Sequence, residues 1–156
     1  MAEEKMLSTV RQLILKNPSI KVFIVLHPTE KSSAEIYDRS FSYYSNFFLG
    51  CNIEIMNPKI ASSESFYQFE LGIASISSVV FERLFCGYKT LLAPIGVSVK
   101  LFEDKNIEQI VATDENMLLR KLKSFLEIEN SEYFEKFNLE LYRIEKPITI
   151  EKFRTN

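Results

Sequence analysis

Between two helix-like stretches lies a short, continuous apolar run, Lys21-Val22-Phe23-Ile24-Val25-Leu26, which ends abruptly in His27-Pro28. A run this short, rich in β-branched residues and without polar alternation, predicts a strand covered on both faces. Further runs follow at intervals suited to an intervening helix. Asn52 to Met56, about Leu71 to Ile76, and Lys89 to Ala93 read as strands, with Ile107 to Ala112 as a weaker fifth. Strands that alternate with helices at this spacing predict βαβ units, right-handed crossovers and an open, mostly parallel α/β sheet.

The segments between the strands carry helical periodicity and punctuation. Met6, Leu7, Val10, Leu13 and Ile14 share one helical face, and Asn17-Pro18 ends it. Ser32-Ser33 precede Ile36, Tyr37, Phe41, Tyr44 and Phe48, with Gly50 as the stop. Ser62-Ser63-Glu64 offers a cap for a short helix carrying Phe66, Tyr67 and Phe69. A helix from Ser78 is expected to end near Cys86-Gly87, and Thr113 or Asp114 to cap one containing Met117, Leu118, Leu122, Phe125 and Leu126. Tyr133, Phe134, Phe137, Leu141 and Tyr142 suit a further helix, while Ile144 to Phe153 is charged and fits no single element. With no internal repeat or linker, residues 1–156 read as one domain, its tail from about 130 being the least patterned part.

Composition narrows the function classes. A net charge of −2 and a pI near 5.6 argue against a nucleic-acid surface driven by bulk charge. No run approaches the roughly 20 apolar residues of a membrane span, and Met1-Ala2-Glu3-Glu4-Lys5, with no positively charged segment leading into an apolar one, is not expected to be a secretion signal. Cys51 and Cys86 are far apart and there is one histidine, so a zinc site is not expected. The cysteines read as reduced thiols in a cytoplasmic protein, Cys86 being expected to lie buried beside a helix end. A place at the periphery of an inner membrane is compatible with this. No aspartate ends the first strand and no Cys-x5-Arg loop occurs, which disfavours response-regulator and phosphatase chemistry.

The polar residues at strand ends are the candidates for function, because ligands of open α/β sheets bind at the carboxyl edge. His27 stands at the first such end, with Pro28 restricting its backbone to extended geometry. Ser77 and Ser78 stand at the third, where a helix N-terminus offers free amides and partial positive charge. An imidazole and two hydroxyls at such ends suit a phosphate, which a protonated His27 would stabilise or protonate as it leaves. The plainer alternatives are a histidine bonded to a loop carbonyl and Ser78 as an N-cap. Glu82 lies one turn beyond Ser78 and would either take ribose hydroxyls or sit in solvent. Gly87, Lys89 and Thr90 read as a helix stop and a strand start, and Lys31 as a surface charge. Tyr43, Tyr44, Phe47 and Phe48 make an aromatic patch that offers an assembly or oligomer surface.

His27-Pro28 followed by Ser77-Ser78 resembles the HP and SS/T motifs of bacterial sialyltransferases and polysialyltransferases. The continuation from Val79 through Glu82 to Gly87-Tyr88-Lys89-Thr90 is also similar to that of capsule and lipooligosaccharide glycosyltransferases. The resemblance covers about Lys21 to Pro94. It implies the Rossmann-like half of an inverting GT-B glycosyltransferase, with helices on both faces of the sheet, that binds a CMP-linked nucleotide sugar. No DxD-like pair sits at a strand end, and histidine, hydroxyls and helix amides suffice for a monophosphate, so no metal or other cofactor is expected. His27 and Pro28 would then meet the donor phosphate, His27 assisting its departure, and Ser77 and Ser78 would hold the same phosphate. CDP-glycerol glycerophosphotransferases share a similar HP and serine pair. The family's acidic-acidic-glycine motif, which supplies the catalytic base, has no counterpart here: Glu103-Asp104 is followed by lysine. By this resemblance the chain is a donor-binding half whose acceptor glycan would come through a separate N-terminal domain, or a degenerate relative inactive alone.

Overall fold

The structure, a computed structural model, describes residues 2–97 and 100–144. It is an α/β protein with parallel strand pairing. Helix α1 (Ala2–Lys16) is followed by strand β1 (Val22–Ile24), a 3₁₀ turn (Pro28–Lys31), helix α2 (Ala34–Phe47) and strand β2 (Ile53–Ile55). A second 3₁₀ segment (Ser62–Gln68) leads to β3 (Gly72–Ala74), α3 (Ser78–Phe85) and β4 (Thr90–Leu92). The rest is helical: α4 (Lys105–Glu108), α5 (Glu115–Glu127), α6 (Asn130–Lys136) and a last 3₁₀ turn, Glu140–Tyr142.

The strands form two parallel pairs. β1 joins β2 with Phe23 opposite Glu54, and β3 joins β4 with Ile73 opposite Leu91. β4 is wholly buried, Thr90 included. The same expectation for residues 21–26 needs correction: Ile24 and Leu26 are buried, but Val25 is exposed. A run of apolar residues does not say how many layers cover it.

The expected fifth strand is also corrected. Asp104 accepts from the amides of Asn106 and Ile107 and so starts α4, which takes up the first part of residues 107–112. Extended pairing survives only at a parallel bridge between Leu92 and Val111, flanked by Leu92 N–H to Ile110 C=O (2.9 Å) and Ala112 N–H to Leu92 C=O (2.7 Å).

One apolar cluster runs from Met6, Val10, Leu13 and Ile14 of α1 through β1 and β4 to Leu118, Leu122 and Phe125 of α5 and Tyr133 and Phe134 of α6. Punctuation follows the sequence closely. Ser33 and Asp114 cap α2 and α5, and Gly50 and Gly87 adopt φ of 83° and 85° after α2 and α3, the left-handed geometry that glycine adopts without a Cβ clash. The Ser62-Ser63 expectation fails in detail: Ala61 occupies the N-cap and makes no side-chain bond, while Ser65 Oγ donates back to Ser62 C=O. The expected C-terminal helix divides into α6 and the Glu140–Tyr142 turn. Residues 145–153 of the charged tail lie outside the described residues.

Candidate functional site

β1 and β3 leave their sheets in the same way. His27 and Ser77 each stand three positions beyond the last strand residue, Ile24 and Ala74, and each caps the helical turn that follows. Local chemistry dictates both turns. Pro28 supplies the N1 position and holds His27 extended, at φ −62° and ψ 149°. His27 and Glu30 form a capping box, with the Glu30 carboxylate accepting from His27 N–H at 2.8 Å and the imidazole accepting from the Thr29 amide.

The second Glu30 oxygen accepts from the Tyr44 hydroxyl at 2.9 Å, tying the His27 turn to α2. Burial and this carboxylate together push the Tyr44 phenol well above its ordinary value. His27 itself is exposed, as are Pro28, Ser78 and Glu82, and Ser77 is half-buried. Lys31 donates to Ile60 C=O at 3.4 Å, so it braces a neighbouring loop.

At the second turn the cap is Ser77, not Ser78: Ser77 Oγ accepts from Val79 N–H at 3.4 Å. Ser78 is the first helical residue, which leaves its exposed hydroxyl outside the cap. A serine in extended geometry immediately before the helix is positioned to accept from the first turn; one already inside it is not.

Two buried cations organise this region. Arg83 of α3 is buried, and its Nε, Nη1 and Nη2 donate to the carbonyls of Lys89 (2.9 Å), Phe66 (2.7 Å) and Phe69 (2.5 Å). Desolvation lowers its pKa to about 10. Lys89, expected merely to start a strand, is 2% exposed and donates to Phe125 C=O (2.7 Å), Ile128 C=O (2.6 Å) and Glu70 (3.2 Å). Its ammonium thereby closes the carbonyl end of α5. The sequence signal for Arg83 was its place beside Leu84 on a helix whose other buried residue is Val80.

Two further expectations are corrected. Cys86 is exposed, because Gly87 turns the chain at the end of α3 and the cap position faces outward. The aromatic patch divides: Tyr44 and Phe48 are in the core, whereas Tyr43 is exposed and Phe47 half-buried. Helical spacing puts adjacent aromatics on different faces.

Two open grooves of about 300 Å³ each are lined by Glu30, Ile36, Arg39, Ser40 and Tyr43, and by Ser8, Arg11, Gln12 and Phe47. Neither is lined by His27, Ser77 or Ser78. Among the described residues no group of three or more His, Cys, Asp or Glu could hold a metal, and no helix is long and apolar enough to cross a membrane. No protein-family model, curated protein or solved structure matches the chain.

Proposed function

We propose that the chain is a Rossmann-like nucleotide-binding domain that takes the phosphate of a nucleotide sugar at the turns following β1 and β3. The observation that carries this reading is the matched pair of junctions, each a parallel strand passing through two residues into a capped helical turn. His27 offers an exposed imidazole and Ser78 an exposed hydroxyl, while the Ser78 amide and the positive end of the α3 dipole add to them, the Val79 and Val80 amides being taken by Ser77. Arg83 supports the second junction by tying α3 to the segment before β3.

The motif resemblance extends the proposal to a CMP-linked donor and to an inverting, sialyltransferase-like GT-B enzyme of surface polysaccharide or lipooligosaccharide synthesis. The acceptor hydroxyl would displace CMP directly, forming the glycosidic bond as the sugar–phosphate bond breaks. His27 would steady or protonate the departing phosphate, and a base from another domain would take the hydroxyl proton. Glu82, exposed and one turn beyond Ser78, is proposed for the ribose hydroxyls. A CDP-glycerol phosphotransferase would use the same phosphate contacts with a different donor.

A second reading, a binding or assembly module, is favoured by α2, in which Tyr44 is the buried residue while Phe41 and Tyr43 are exposed. Calorimetry with CMP, CDP, UDP and GDP separates the two. Tightest binding of CMP is expected; no heat from any of the four at millimolar concentration rejects the nucleotide reading.

A further inference from the structure

The contacts around His27 determine more than its position. Its Nδ1 lies 3.3 Å from the Thr29 amide nitrogen and 2.8 Å from Thr29 Oγ1. A backbone N–H can only donate, so Nδ1 accepts and the proton of the neutral ring resides on Nε2. The backbone beneath the ring is held independently, because Glu30 accepts from His27 N–H and is itself held by Tyr44. Ser32 Oγ further donates to Thr29 C=O at 3.1 Å, which steadies Thr29. Nε2 makes no hydrogen bond within the described residues.

We infer that Thr29 is a positioning residue whose amide and hydroxyl hold His27 in the Nε2-protonated form, so that the exposed ring offers a neutral N–H donor to a ligand oxyanion. The identity of that oxyanion as phosphate rests on the function proposed above; the tautomer does not. A donor held in this way needs no proton from solution, so it contacts the anion while the imidazole is uncharged.

The chain has a single histidine, so one imidazole accounts for the whole long-range proton–nitrogen NMR spectrum. With ¹⁵N-labelled protein at pH 8.5, Nε2 should be the protonated nitrogen and Nδ1 the acceptor. Inorganic phosphate and CMP should shift the Nε2 signal rather than Nδ1. Thr29→Val keeps the amide and removes the hydroxyl; it should draw the two nitrogen shifts together and weaken CMP binding about tenfold, the effect of one mispositioned hydrogen bond to a charged group. Thr29→Ser should restore both. A proton on Nδ1 in the wild type overturns the role given to Thr29, and shifts unchanged in Thr29→Val overturn the part given to its hydroxyl, leaving the tautomer to the amide alone. The expected tautomer with no response to phosphate or CMP at millimolar concentration leaves Thr29 in its role and rejects the phosphate-site reading.

Discussion

Gly72 in β3 lies directly beneath the side chain of Arg83 in α3, where a Cβ would come within 2.6 Å of the guanidinium Nε. The arginine reaches past Gly72 to the carbonyls of Phe69, just before β3, and of Lys89, just before β4. Such a buried cation is tolerated because every nitrogen finds an acceptor. The lack of a side chain at 72 is what lets it pass.

Gly72→Ala should therefore destabilise the protein by about 1–3 kcal/mol, the usual range for an overpacked buried site. Urea denaturation followed by circular dichroism measures this. A loss below about 0.5 kcal/mol would mean that Arg83 moves aside without losing its carbonyls.

Lys89 and Glu70 should behave unequally although they form one ion pair. Lys89 is buried and Glu70 largely exposed. Lys89→Met strands the carbonyls of Phe125 and Ile128 and should cost about 1–3 kcal/mol or more. Glu70→Gln should cost less than about 1 kcal/mol, as for exposed pairs. Equal losses in thermal and denaturant unfolding would mean that the ion pair, rather than the helix end, is what Lys89 serves.

The two serines should separate stability from binding. Ser77→Ala removes the cap and should cost about 1 kcal/mol. Ser78→Ala should leave the unfolding midpoint nearly unchanged yet weaken CMP, since a hydrogen bond to a charged group is worth roughly 1.5–3 kcal/mol. Paired melting and calorimetry on the two variants give the comparison.

Alkaline pH should unfold the protein through buried phenols. Burial pushes Tyr44 and Tyr133 well above their ordinary value of 10.0, and Tyr133 also donates to Thr90 C=O at 2.5 Å. A phenol with a raised folded pKa keeps its proton where the unfolded chain loses it. Its stabilisation is complete below pH 10 and is lost as the pH rises above that. Absorbance at 295 nm should show these two phenols ionising only with the loss of circular dichroism. Smooth titration of all seven tyrosines in a folded protein would contradict their burial.

If the proposed function holds, nucleotide binding should be indifferent to EDTA, since histidine, hydroxyl and a helix N-terminus can hold a nucleotide monophosphate without a divalent ion. CMP titrations with EDTA or with Mg²⁺ should give one affinity. A requirement for Mg²⁺ or Mn²⁺ would contradict the metal-free phosphate site proposed above.

Local sequence was sufficient at several positions where a residue acts on its own segment. Asn17-Pro18, Ser33, Gly50, Gly87 and Asp114 punctuate helices because proline, capping side chains and glycine impose their geometry within a few residues. The apolar runs located the four strands among the described residues, and their alternation with helices matched the parallel α/β arrangement. His27 and the serines were legible as strand-end residues for the same reason. Which serine caps was decided by where β3 stops, one turn of backbone that composition does not specify. The fifth strand gave way to α4 because Asp104 competes for the amides of Asn106 and Ile107. Only the tertiary structure could bury Arg83 and Lys89. Their acceptors lie 6 to 39 residues away in the chain, and a charge enters the core only where folding brings such carbonyls together.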